Sequence, residues 1–221
     1  MTKVYAFPTF RIESQLFHCP GAGYDGGLTS GGAQTITPEP GGFSVLELQP
    51  TLIDTEWDSP LASWVMSMID GAVFRVRLAP SPQIAFSKQR GNMVSVPWSN
   101  GQAWANQQEW DGDFTATFAA SALKGQVGMS VDLTGVGPIL GVGHVIGDGA
   151  TTCKIMEIEY SGDTATAIVK PPLRRNIAAG DNAYLRPWFT GRIANGADIR
   201  AGYNSMGHVK PGKIILNEAV V

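Results

Sequence analysis

The residues that come closest to a catalytic arrangement lie near the end of the chain, in the stretch "GYNSMGH". Ser205 and His208 are a nucleophile and a base three residues apart, and serine hydrolases use such a pair for acyl transfer. The hydrolase elbow has glycine two residues before the serine, where this chain has Tyr203. The histidine would also need a carboxylate to orient it, and the stretch supplies none. We therefore interpret it as a turn before the last strand and keep a small hydrolase as a third hypothesis.

A glycine-rich run, "GVGPILGVGHVIGDG" at residues 135–149, invites comparison with a dinucleotide-binding turn. Such a turn follows a strand and opens a helix whose free N–H groups face the phosphate. Pro138 and the recurring glycines forbid a stable helix here. The spacing of Gly141, Gly143 and Gly147 also departs from G-x-G-x-x-G. The run predicts turns and no nucleotide cofactor.

Metal-ligating side chains are few and scattered: Cys19, Cys153, His18, His144 and His208. Only His18 and Cys19 are neighbours, whereas a structural zinc site usually needs four convergent ligands. The two cysteines are flanked by no second thiol, so neither a redox pair nor a zinc framework is indicated. We predict no metal, no cofactor and two free thiols.

Two adjacent arginines, Arg174 and Arg175, lie in "VKPPLRRNIAAGD" at residues 169–181. Pro171 and Pro172 stop the ladder of the preceding strand, and the Gly-Asp pair turns the chain into the next one. No acid, cofactor loop or nucleophile is nearby in sequence. We predict that the arginines form an inter-subunit or inter-domain ion pair, so that Arg174→Ala weakens assembly and leaves the subunit folded.

Three tryptophans, Trp98, Trp104 and Trp110, are six residues apart in a polar segment rich in Asn, Gln and Gly. Aromatic side chains beside amides are typical of protein interfaces, and also of carbohydrate-binding surfaces. No paired acid accompanies them, so we favour an interface. A carbohydrate-binding module for host recognition remains the second hypothesis, which a glycan array would test.

The composition excludes several classes of protein. The net charge is −3, and the 16 Lys and Arg residues form no basic cluster, so a specific nucleic-acid partner is not expected. No apolar run approaches the length of a membrane span, and the first residues lack the apolar core of a signal peptide. Charged residues make up only 16% of the chain, which suggests a surface partly covered by partners.

Alternating apolar residues predict ten to twelve short strands and one helix, and therefore an all-β, β-rich fold. The helix is expected at residues 58–71, where Pro60 suits the first position and Gly71 the exit, with Trp64 on its core-facing stripe. Residues 153–160 and 164–170 are predicted to form a hairpin. Residues 19–42 are rich in glycine and proline without any period, which predicts a long loop or extended arm.

With these elements in order, the chain resembles the distal tail proteins, which are minor tail proteins of long-tailed bacteriophages (siphoviruses). Three stretches carry the likeness: "LTSGGAQTITPEPGGFSVLELQPTL" at 28–52, "DTEWDSPLASWVMSMIDGAVFRVRLAPSP" at 54–82, and the module at 123–195 with its glycine-rich turn, hairpin, "PPLR" corner and Gly-Asp turn. Together they cover about two thirds of the chain, without a catalytic signature.

The resemblance implies a tail-tube-like β-sandwich, residues 1–85 plus 188–221, with an inserted small β-barrel like the oligonucleotide-binding fold at 86–187. It implies a non-enzymatic protein of the virion tail, made in the host cytoplasm. Copies would form a closed ring, six in the family, although three-fold symmetry stays open here. The ring would contact the tail tube protein, the hub or baseplate protein, the tape measure and the fibres.

Within such a ring, we predict that the arm at residues 19–42 lies across a neighbouring subunit, because it is too long and too rich in glycine to pack on its own subunit alone. Pairing between subunits would then satisfy its backbone. The predicted interface residues are Gly23, Tyr24, Asp25, Trp98, Trp104, Trp110, Arg174 and Arg175.

Overall fold

The protein is an all-β protein, as the alternation of apolar residues predicts. The computed structural model describes residues 3–8, 12–20, 22–28, 34–39, 42–51, 64–65, 72–79, 115–134, 137–195, 202–203, 209–210 and 212–220. Within these ranges only Trp64 and Val65 are helical, and the remainder of the helix predicted at 58–71 lies outside them.

The strands are short. They are β1 (Val4–Ala6), β2 (Ile12–His18), β3 (Ala22–Leu28), β4 (Gln34–Glu39), β5 (Val45–Pro50), β6 (Val73–Arg77), β7 (Thr115–Phe118), β8 (Gly128–Asp132), β9 (Val145–Gly147), β10 (Thr152–Ser161), β11 (Thr164–Lys170), β12 (Asn182–Tyr184), β13 (Trp188–Ile193), β14 (Gly202–Tyr203), β15 (Val209–Lys210) and β16 (Ile214–Glu218).

The chain divides into two compact units. The sheet unit comprises Met1–Arg77 and Phe189–Val221, and the barrel unit comprises Leu78–Trp188. The barrel unit is therefore inserted between two strands of the sheet unit, β6 and β13. The sequence predicts domain boundaries at 85/86 and 187/188, which are eight residues after and one residue before those of the two units.

The sheet unit contains a six-stranded sheet in the order β1-β6-β13-β16-β5-β2. Strand β5 pairs antiparallel with both β16 and β2, and its Leu46 and Leu48 are fully buried, which is the alternation expected of a half-buried strand. Phe17 and Phe189 meet edge to face in the same core. Two two-stranded sheets, β3–β4 and β14–β15, complete the strands described in this unit, and the tail-tube-like sandwich stays a prediction.

The barrel unit is built on a closed six-stranded barrel in the order β10-β11-β8-β7-β12-β9. Every pairing recorded between its strands is antiparallel. The strands send small and medium side chains inward, and the buried core comprises Ala116, Phe118, Ala122, Met129, Val131, Leu133, Leu140, Ile146, Cys153, Ile155, Ala165, Ala167, Val169, Leu173, Ile177, Ala183 and Leu185. Its likeness to the oligonucleotide-binding fold stays a prediction.

The segment predicted as a loop or arm, residues 19–42, contains an antiparallel hairpin of β3 and β4 instead of a loop. Tyr24 pairs with Thr37 and Ala22 with Glu39, and the register shifts between Asp25 and Leu28. The hairpin satisfies backbone groups within its own chain, whereas the sequence predicts that pairing between subunits satisfies them. The loop alternative was wrong because the pairing of two backbones does not require the apolar alternation from which strands are predicted.

Trp64, predicted on the core-facing stripe of the helix, is only partly buried. It packs edge-on against Tyr5 and Phe74, with ring centroids 5.7 and 5.9 Å away, yet 37% of its surface is exposed. The adjacent Val65 is buried. An indole is too large to be enclosed by two neighbouring rings, so this residue lies at the boundary of the core.

Candidate functional site

The polar contact that most clearly distinguishes the barrel unit joins Arg175 to Asp148. The guanidinium donates from Nε to Asp148 Oδ2 and from Nη2 to the Asp148 carbonyl oxygen, the second at 2.6 Å. About half of the arginine side chain is exposed, whereas the aspartate side chain is only 3% exposed. A carboxylate so deeply buried requires partners for its charge, and Arg175 is one of them.

The turn between β9 and β10 supplies the other partners of this carboxylate. Asp148 Oδ1 accepts the backbone N–H groups of Ala150 at 2.9 Å and Thr151 at 2.7 Å. Aspartate commonly closes a turn in this way, and the left-handed φ of +87° at Gly149 requires glycine or a similarly permissive residue. The sequence "GDG" therefore positions the carboxylate that receives the arginine.

This contact corrects the prediction made for the arginine pair. Arg175 was expected to find its acid on another subunit or domain, but Asp148 lies in the same barrel unit, 27 residues earlier. The sequence reading missed Asp148 because it treated the glycine-rich run only as turns. Arg174 is half-buried beside Arg175 and makes contacts of its own, so its role at an interface stays a prediction.

A small cavity lies beneath this ion pair inside the barrel. Its polar lining comes from Asp148 and Thr151, next to the thiol of Cys153. The rest of the lining is Phe118, Met129, Ile146, Gly147, Leu173 and Ile177. Its volume is about 10 Å³, enough for a single water molecule. This cavity is therefore too small for an organic cofactor.

His144 and Tyr160 of the barrel unit each combine a shifted pKa with a hydrogen bond to the loop at 137–143. His144 is buried and its Nδ1 accepts the N–H of Gly141 at 3.1 Å, and burial lowers the pKa of this histidine. The Tyr160 hydroxyl donates to the Leu140 carbonyl at 2.7 Å, and burial raises the pKa of that phenol. Both side chains fasten the loop at 137–143 to the barrel, which is a structural task.

The other predicted site residues fall in different parts of the chain. Gly23, Tyr24 and Asp25 lie together on β3, opposite Pro38, Thr37 and Ile36. Trp98, Trp104, Trp110, Ser205 and His208 lie outside the described residues. Cys19 and Cys153 are free thiols. In the described ranges no three His, Cys, Asp or Glu side chains converge as metal ligands, and no helix is long and apolar enough to cross a membrane.

Two large apolar side chains of the sheet unit are exposed, Leu16 on the edge strand β2 and Phe43 just before β5. Leu16 pairs with Glu47 and so faces away from Leu46 and the core, and it is 55% exposed. Phe43, two residues before Val45, is 65% exposed.

The comparisons with known proteins do not assign this chain to a family. No protein-family model and no curated protein matches its sequence.

Proposed function

We propose that this chain is a structural, non-enzymatic protein of the bacteriophage tail that forms an adaptor ring at the distal end of the tail. The ring would join the tail tube to the hub or baseplate and carry peripheral fibres. The proposal rests chiefly on one observation: a closed barrel is inserted between two strands of a six-stranded sheet. A sheet-based unit interrupted by a barrel is the organisation that the resemblance to distal tail proteins implies.

The edges of the sheet unit suit assembly. In the described part of the chain β1 and β2 are the outermost strands of the six-stranded sheet. Exposed edge strands tend to pair with other chains unless they are covered, and a ring covers them with neighbouring copies. The exposed Leu16 lies on one of these edges, the strand β2.

The hairpin of β3 and β4 adds a second contact element. Among the strands that the structure describes, β3 contacts β4 extensively and no other strand to a similar extent. Such a hairpin is preorganised, because its backbone pairing exists before a partner arrives, and it can therefore lie across a neighbour at low entropic cost. A head-to-tail contact of this kind joins two different surfaces of the same chain and closes into a ring when the rotation permits.

The experiment that tests this function is the assembly state of the full chain. We expect multi-angle light scattering at high protein concentration to give a mass of a closed oligomer, and negative-stain microscopy to show rings with a central opening. A strict monomer that also fails to bind purified tail tubes would refute the proposal. Glycan-array binding by that monomer would support the carbohydrate-binding alternative instead.

A further inference from the structure

Two connecting segments meet at one end of the barrel and form a single hydrogen-bonded unit. Residues 121–126 connect β7 to β8, and residues 171–178 connect β11 to β12. Ala122 and Ile177 exchange backbone hydrogen bonds of 3.0 and 2.8 Å, and Leu173 bonds to the backbone of both Gly125 and Gln126 at 2.8 and 2.9 Å. The N–H of Lys124 donates to Asn176 Oδ1 at 2.9 Å. These two segments are named the cap.

The cap contributes large apolar side chains to the core of the barrel. Leu173 and Ile177 belong to the same buried core as the inward-facing strand residues. Together with Phe118, Met129 and Ile146 they line the small cavity beside Cys153. Because interiors pack densely, the barrel would hold a large void if these two side chains left.

The connections of the cap are asymmetric. Its two segments continue into four strands that are consecutive around the barrel, β11, β8, β7 and β12. The remaining two strands, β9 and β10, meet in the turn that carries Asp148, at the same end of the barrel. Arg175 joins the cap to that turn through Asp148. The covalent attachments are thus on one side and this ion pair is on the other.

We propose that the cap is a hinged lid on the barrel, held closed by the Arg175–Asp148 pair. When the pair separates, Leu173 and Ile177 withdraw, and the barrel interior with the Cys153 thiol opens to solvent while the strands stay paired. Folded proteins open locally at free energies below that of global unfolding, and the rest of the structure stays paired. The inference does not depend on the ring proposed above.

The thiol of Cys153 reports directly on the lid. This thiol is buried and forms no disulfide in the closed form, so a thiol reagent such as an aromatic disulfide reacts only when the interior opens. With Cys19 replaced by serine, we expect Arg175→Ala to raise the labelling rate by about 5- to 30-fold, since one partner of a half-exposed charged pair is lost. Lys124→Ala removes a cation from the same cap but keeps its backbone bond, and should leave the rate unchanged.

The urea dependence of labelling separates lid opening from unfolding. Opening the cap exposes little surface, so labelling at low urea should depend weakly on denaturant, well below the slope of global unfolding. If wild-type labelling follows the full unfolding slope, or if Arg175→Ala labels no faster than Lys124→Ala, the lid is refuted. Should Arg175→Ala fail to fold, Arg175→Lys provides a milder loss of the bidentate contact, and the wild-type urea dependence decides independently.

Discussion

Gly147 is the position where the smallest possible substitution should destabilise the barrel most clearly. It ends β9 and pairs with Thr152 of β10. A methyl group added there would come within 2.5 Å of the Thr151 carbonyl oxygen and 2.6 Å of Pro187 Cβ. Neither neighbour is the flexible end of a side chain. The backbone of the turn, or the proline, must therefore move to admit Gly147→Ala.

The expected loss is about 2 kcal/mol in the free energy of unfolding. Forcing one methyl group into a packed site costs about 1–3 kcal/mol, and two contacts below 3 Å place this site in the upper half of that range. Replacing glycine by alanine also reduces the entropy of the unfolded chain, which returns about 0.4–1 kcal/mol. With a typical urea slope of about 2 kcal/mol per molar, the midpoint of the barrel transition should fall by about 1 M.

Gly128→Ala is the matched control, because it makes the same change on a strand of the same barrel. A methyl group at Gly128 on β8 meets no atom within 4 Å. Its urea midpoint should stay level or rise slightly. Urea titrations followed by tryptophan fluorescence and far-ultraviolet circular dichroism would measure both variants. An unshifted midpoint in Gly147→Ala, or an equal drop in both variants, would contradict the steric reasoning.

Three further outcomes follow from the contacts described. Leu46→Ala should destabilise the sheet unit by about 2–5 kcal/mol and leave the barrel transition in place, because Leu46 is fully buried in the sheet core; hydrogen exchange resolved by peptide would show whether the loss is confined to that unit. Leu16→Glu should reduce the mass of the assembly in light scattering and leave the circular dichroism unchanged, since Leu16 is exposed in the isolated chain; an unchanged mass would remove this surface from the interface. Burial lowers the pKa of His144, so the unfolded state binds a proton first as the pH falls below 6.5. The free energy of unfolding of the barrel should therefore be highest above pH 6.5. It should decrease below that pH until the folded state is protonated as well. Urea midpoints at pH 7.5 and 5.5 measure this loss, which His144→Gln should diminish.

Local sequence patterns predict several strands of the barrel correctly. The alternation of Val127, Met129, Val131 and Leu133 predicts a strand with these residues on one face. The last three are buried, whereas Val127 precedes β8 and is exposed. The hairpin of β10 and β11 was likewise read from a turn between two apolar runs, and its ends pair at Ser161 and Thr164. Both features depend on residues close in sequence, where periodicity and turn chemistry operate.

The predicted alternation of inward- and outward-facing residues fails in β10, where a β-bulge interrupts the strand. Strict alternation places Ile155 and Ile158 on opposite faces of β10, yet both contact the barrel core. A register shift between Ile155 and Glu157 adds one residue, Met156, and reverses the phase of the strand. No residue type in β10 predicts a bulge. The position of the bulge follows only from the pairing of β10 with β11.

The contact between Arg175 and Asp148 could not be predicted from the sequence, for a different reason. Arg175 and Asp148 are brought together by the closure of the barrel, which makes β9 the neighbour of both β10 and β12. Neither residue has a nearby partner that identifies it from sequence. The useful clue was the "GDG" turn, since a carboxylate bonded to two backbone N–H groups still has an oxygen free to receive a cation.

The insertion of the barrel between β6 and β13 has a consequence for the order in which the chain folds. These strands are neighbours in the sheet, but the whole barrel is synthesised between them. Joining the ends of so long a flexible loop would cost about 4 kcal/mol in chain entropy. In the folded barrel, the Leu78 N–H already bonds to the Pro187 carbonyl at 3.0 Å, which holds entry and exit side by side. The barrel should therefore fold first and act as the clamp that lets the sheet close.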